Sequence, residues 1–129
     1  MEMVVPAMKR FTDHVHSKGL FADLHSCGQL ELQVPSIIAA GWDSWGGMPM
    51  NDMEMLYDKY GDQIVLGVIP EQFDPMTTSE EDQRAAAAKF VNKYCNPEKP
   101  ATISFYGMGA LTPAFREELY KLSRMKYCG

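Results

Sequence analysis

The sequence has no cluster of lysine or arginine, no long apolar run and only three cysteines, and each absence excludes something. Lys+Arg number 12 against Asp+Glu 17, a formal charge of -5, with an isoelectric point near 5.1. Without a basic patch, neither nucleic acid nor an anionic membrane is an expected partner. No apolar stretch approaches the ~20 residues of a membrane span. The opening Met1-Glu2-Met3-Val4-Val5-Pro6 lacks the basic segment and apolar core of a secretory signal. An odd number of cysteines without framework spacing points to reduced thiols and a cytoplasmic location. What is present is ordinary for a globular chain: 129 residues, 46% of them hydrophobic. That composition predicts one domain over residues 1–129, with a core that needs no disulfide or metal to hold it.

Hydrophobic periodicity alternates between helix and strand. Val4, Met8, Phe11 and Val15 form one helical stripe ending near Lys18-Gly19. Leu20 to His25 is a short apolar strand running into Ser26-Cys27-Gly28. Leu30, Val34, Ile37 and Ile38 return to helical spacing and stop at Gly41, with Pro35 delaying the helix start. Trp42 to Trp45 makes a second strand, and Asn51 or Asp52 caps a helix with Met53, Leu56, Tyr57 and Tyr60 on one face. Gln63 to Ile69 is a β-branched run without polar alternation, which suits a parallel sheet. Thr78-x-x-Glu81 reads as a capping box before a helix from Ser79 to about Tyr94. Ala101 to Tyr106 is a fourth strand, and Thr112-Pro113 opens a last helix with Phe115, Leu119 and Leu122 inward. The fold class is therefore α/β with parallel βα repeats. Two architectures fit: a small open doubly wound sheet, or half of an eight-stranded barrel, which takes ~250 residues when complete.

In either, the loops after the strands form the working face. They read Ser26-Cys27-Gly28, Gly46-Gly47-Met48, Gly67-Val68-Ile69-Pro70 and Gly107-Met108-Gly109. Residues two apart on a strand point the same way, so His25 and Cys27 can offer an imidazole nitrogen and a thiolate to one metal ion, with zinc the natural occupant. The plainer reading, a hydrogen-bonded core histidine beside a small buried thiol, stays open. His14 and His16 face nearly opposite sides of a helix and read as solvated, while Cys95 and Cys128 read as structural or free thiols. Trp45, Tyr106 and Met108 are the candidate substrate contacts, with core packing as the alternative for the aromatics. Asp23 and Asp43 are the carboxylates expected to be partly buried, each to orient a neighbour such as His25 or to cap backbone N–H groups.

His25-Ser26-Cys27-Gly28, Ile37-Ile38, Gly41-Trp42-Asp43-Ser44-Trp45, Asn51-Asp52, Tyr60-Gly61-Asp62 and Ile64-Val65-Leu66-Gly67 together resemble the C-terminal half of the uroporphyrinogen decarboxylase superfamily, over nearly the whole chain. The resemblance implies half of a (β/α)8 TIM-type barrel with about four strands. Its His-x-Cys-Gly is similar to the methyltransferase branch, in which histidine and cysteine ligate zinc. It therefore implies zinc at His25 and Cys27, a corrinoid carried by a partner protein, and a small methyl donor or acceptor. Half a barrel leaves two strand edges open, near Leu20 to Leu24 and near Thr102 to Phe105, so pairing with a second copy or with a separate N-terminal half is expected. One departure is that Gly107-Met108-Gly109 stands where those methyltransferases have a Gly-Cys-Gly-like turn, which leaves Glu71, residues elsewhere or no further group at all to complete the shell. The alternatives are a metal-free decarboxylase-like activity and a non-catalytic half-barrel that acts only on assembly.

Overall fold

The computed structural model describes residues 3–104 and 111–129. Along the chain run α1 (Val5–Ser17), β1 (Asp23–His25), a 3-10 turn (Glu31–Gln33), α2 (Val34–Ala39), β2 (Ser44–Gly46), α3 (Met53–Tyr60), β3 (Val65–Val68), α4 (Glu80–Tyr94), β4 (Ala101–Ile103) and α5 (Pro113–Cys128). The strands form one four-stranded parallel sheet in the order β1-β2-β3-β4. Asp23, Leu24 and His25 pair with Ser44, Trp45 and Gly46, and Ser44 and Trp45 pair with Val65 and Leu66. A doubly wound sheet reverses its strand order at a switch point, whereas sequential order with right-handed crossovers keeps the helices on one face. The order found here is that of half an α/β barrel.

The chain divides into two compact units, residues 1–67 and 68–129. In the first, Val34, Ile37, Trp45, Met53, Leu56, Tyr57, Ile64 and Leu66 make the core. Asp52 caps α3 by accepting the Met55 N–H at 3.0 Å, and Met53, Leu56 and Tyr57 turn inward as the spacing predicts. Pro35 does delay α2, which is preceded by the 3-10 turn. The expected stripe of α1 is corrected: Val4 and Phe11 are more than half exposed, and the one buried residue of that helix is Thr12. Its hydroxyl donates to the Ala40 carbonyl at 2.6 Å, tying α1 to the end of α2, while Phe11 packs on Trp42 with ring centroids 5.6 Å apart. β1 is also shorter than expected, because Leu20 and Phe21 stay exposed and unpaired before it.

In the second unit Ala87, Phe90, Val91, Tyr94 and Phe115 are buried, and α4 packs on α5. The helix cap lies one residue beyond the expected box: Ser79 accepts the Asp82 N–H at 3.1 Å, and its hydroxyl donates to the Asp82 carboxylate. Thr112 caps α5, and its hydroxyl donates to Gln83 on α4 at 2.5 Å. Arg84 of α4 reaches Glu80 at 2.7 Å and Glu117 of α5 at 3.0 Å. The fourth strand ends at Ile103, and the Ser104 N–H bonds the Val68 carbonyl.

Candidate functional site at the ends of the first two strands

β1 carries Asp23 and His25 on one face and Leu24 on the other, and the burial alternates accordingly, exposed, half-buried, exposed. Cys27 continues the exposed face just past the strand. His25 Nδ1 lies 3.1 Å from the Gly46 carbonyl at the end of β2. A carbonyl only accepts, so Nδ1 carries the proton, and in the neutral ring Nε2 has the lone pair. That lone pair faces the Cys27 Sγ at 3.9 Å. A zinc ion takes histidine nitrogen at about 2.0–2.1 Å and thiolate sulfur at about 2.3 Å, so donors this far apart reach a shared ion at an angle of roughly 125–130°, open but close to tetrahedral. The backbone carbonyl is the partner that fixes which ring nitrogen is left to face Cys27. Gly28, directly after Cys27, has φ +95°, a conformation that glycine alone takes without strain, and it turns the chain away from the strand.

The structure places the other candidates elsewhere. Asp23 shares the strand face of His25, but its carboxylate accepts the hydroxyl of Ser44, not the imidazole. Asp43 accepts the Ala22 N–H and a hydrogen bond from His16 Nε2, both at 2.7 Å, so His16 is held at the entrance to β2 rather than merely solvated. Trp45 is fully buried, with its indole N–H donating to Ser26 at 2.8 Å, and it offers no surface to a ligand. Glu71 pairs with Lys89 at 2.9 Å. Cys95 ends α4, where burial pushes its thiol up while Tyr127 and Lys126 only partly offset that. Cys128 is exposed in the last turn of α5. Tyr106 and Met108 lie outside the described residues. Among the described residues no group of three His, Cys, Asp or Glu side chains is arranged to hold a metal ion, so His25 and Cys27 stand as a pair. No helix among them is long and apolar enough to cross a membrane.

Sequence reasoning missed two parts of this site. The Gly46 carbonyl is invisible in a residue pattern. Asn51 is one of two candidate helix caps in the sequence, but its side chain bonds the Leu30 N–H and the Gly28 and Met48 carbonyls beside the site; with Asp52 doing the capping, that redundancy is the available signal. Compared with family models, with curated proteins and with solved structures, the chain matches none.

Proposed function

We propose that the chain is part of a zinc-assisted methyltransferase of the corrinoid-linked kind, with His25 and Cys27 as two of the metal's ligands. The observation that supports it most is the pairing of a tautomer-fixed imidazole, Nε2 outward, with an exposed thiol 3.9 Å away at the carboxyl end of parallel strands. The sequence resemblance supports the choice of reaction. Zinc, when bound, holds an acceptor thiol as the thiolate at neutral pH, which makes it a nucleophile toward a methyl group. His25 and Cys27 fix the ion's position, and the Gly46 carbonyl holds the imidazole plane. The methyl source in this reading is a corrinoid carried by a partner protein.

Two ligands are half a tetrahedral shell, and among the described residues no strand pairs with the outer edge of β1. An unpaired edge followed by the same exposed face that carries His25 favours completion of the site by a further βα half, either a second copy or a separate chain. The test follows methylcobalamin absorbance with a thiol acceptor, using the chain and any complex it forms. Turnover that requires zinc and disappears in Cys27→Ser is expected. Zinc-independent turnover, or none in the assembled complex, contradicts the reading.

A further inference from the structure

Asn51 is one of the few buried polar side chains of the first unit, 4% exposed, and it bonds on both ends. Its Oδ1 accepts the Leu30 N–H at 2.7 Å, and its Nδ2 donates to the Gly28 carbonyl at 3.0 Å and the Met48 carbonyl at 2.9 Å. That accounts for both amide protons and one acceptor position of the side chain. The bonds tie three segments together: the turn after Cys27, the chain entering the 3-10 turn, and the loop after β2. Asn51 is itself held, its N–H on the Met48 carbonyl and its carbonyl accepting the Met53 N–H, at the capped start of α3, whose Met53, Leu56 and Tyr57 are buried.

The consequence reaches the candidate site from two sides. Gly28 follows Cys27, and Met48 lies two residues past Gly46, the acceptor for His25. One buried amide thus fixes both the loop that carries the thiol and the loop whose strand end orients the imidazole. We infer that Asn51 is the positioning residue of the His25–Cys27 pair, acting through backbone carbonyls without touching either side chain. The inference rests on the proposed function for the metal, but the geometry it controls exists without metal.

The experiment uses Asn51→Asp in the full chain, which keeps the acceptor and the shape but removes both donations from Nδ2. Asp52→Ala, which removes the neighbouring helix cap, serves as a control for stability loss alone. Two readouts are taken: the His25 tautomer by nitrogen NMR in metal-free protein, and Co(II) affinity from the thiolate-to-metal absorption band. Asn51→Asp is expected to lose the single Nδ1–H tautomer and to weaken Co(II) binding by roughly 10–100-fold, the usual effect of disturbing a ligand's supporting partners. Asp52→Ala is expected to change neither. An Asn51→Asp protein with the wild-type tautomer overturns the positioning role. A wild-type chain that ignores Co(II) while Asn51→Asp still loses the tautomer sinks the metal reading and supports the positioning role. If Asn51→Asp does not fold, Asn51→Ser, which keeps one small hydrogen-bonding group, gives the same readouts with the same meanings.

Discussion

Asp43, at the entrance to β2, holds His16 of α1 and the backbone N–H of Ala22 through a single carboxylate oxygen, each at 2.7 Å. Burial pushes this carboxyl up, but the Ala22 N–H and the His16 ring together outweigh it and leave the group below its ordinary value of 3.8. A carboxyl that is more acidic in the folded state stabilises the fold above its unfolded pKa, and loses that contribution as pH falls through the folded value. Asp43→Ala is expected to cost about 1 kcal/mol near neutrality. The gap from wild type should close progressively below about pH 4. Urea unfolding of both proteins at a series of pH values checks this; a gap that persists unchanged to the lowest pH contradicts it.

Thr12 and Gly41 are coupled. Gly41 has φ +83°, and a Cβ there would stand 2.9 Å from the Thr12 hydroxyl oxygen. Gly41→Ala is expected to destabilise by about 1–2 kcal/mol from the backbone conformation, with a further cost from the clash. Thr12→Ala alone should cost about 1 kcal/mol, because the Ala40 carbonyl loses its donor. The double variant should be more stable than the sum of the two losses predicts, since the clash needs the hydroxyl. Strict additivity in a double-mutant cycle would show that the close approach carries no energy.

The start of α4 tests which residue caps it. Ser79→Ala should cost about 1 kcal/mol, and Thr78→Ala much less, because the Asp82 N–H bonds Ser79. Equal losses in thermal unfolding would restore the earlier box.

How much of this was legible beforehand follows from which forces are local. A cap at Asn51 or Asp52, the delay of α2 at Pro35 and the inward face of α3 depend on neighbours within four residues, and the sequence pattern predicts them, leaving the choice of Asp52 to the structure. The burial of Thr12 and the exposure of Phe11 depend on what α1 meets, and an apolar stripe says only which side is greasy, not whether anything covers it. At the site, the period of two along β1 correctly brings His25 and Cys27 to one face. The tautomer of His25 and the clamp of Asn51 come from backbone carbonyls on a neighbouring segment some twenty residues away, where no side-chain pattern records them. Trp45 shows the opposite limit: an aromatic at a strand end has the same letter whether it walls a pocket or fills a core.

The cysteines should separate by chemistry. Cys27 and Cys128 are exposed, while burial raises the Cys95 thiol and keeps it protonated. Alkylation with iodoacetamide at neutral pH, followed by peptide mass spectrometry, should label Cys27 and Cys128 well before Cys95. Zinc added beforehand should slow Cys27 alone. Equal labelling of all three contradicts the partial burial of Cys95, and zinc without effect on Cys27 contradicts its role as a ligand.

Whether His25 and Cys27 hold a metal ion together is decided by the zinc content of protein purified without chelator, measured with its solution mass. Near one zinc per chain is expected, lost in both Cys27→Ser and His25→Ala while the fold is retained. Metal-free protein that also takes up no zinc on titration, or zinc that survives both substitutions, would contradict a shared site.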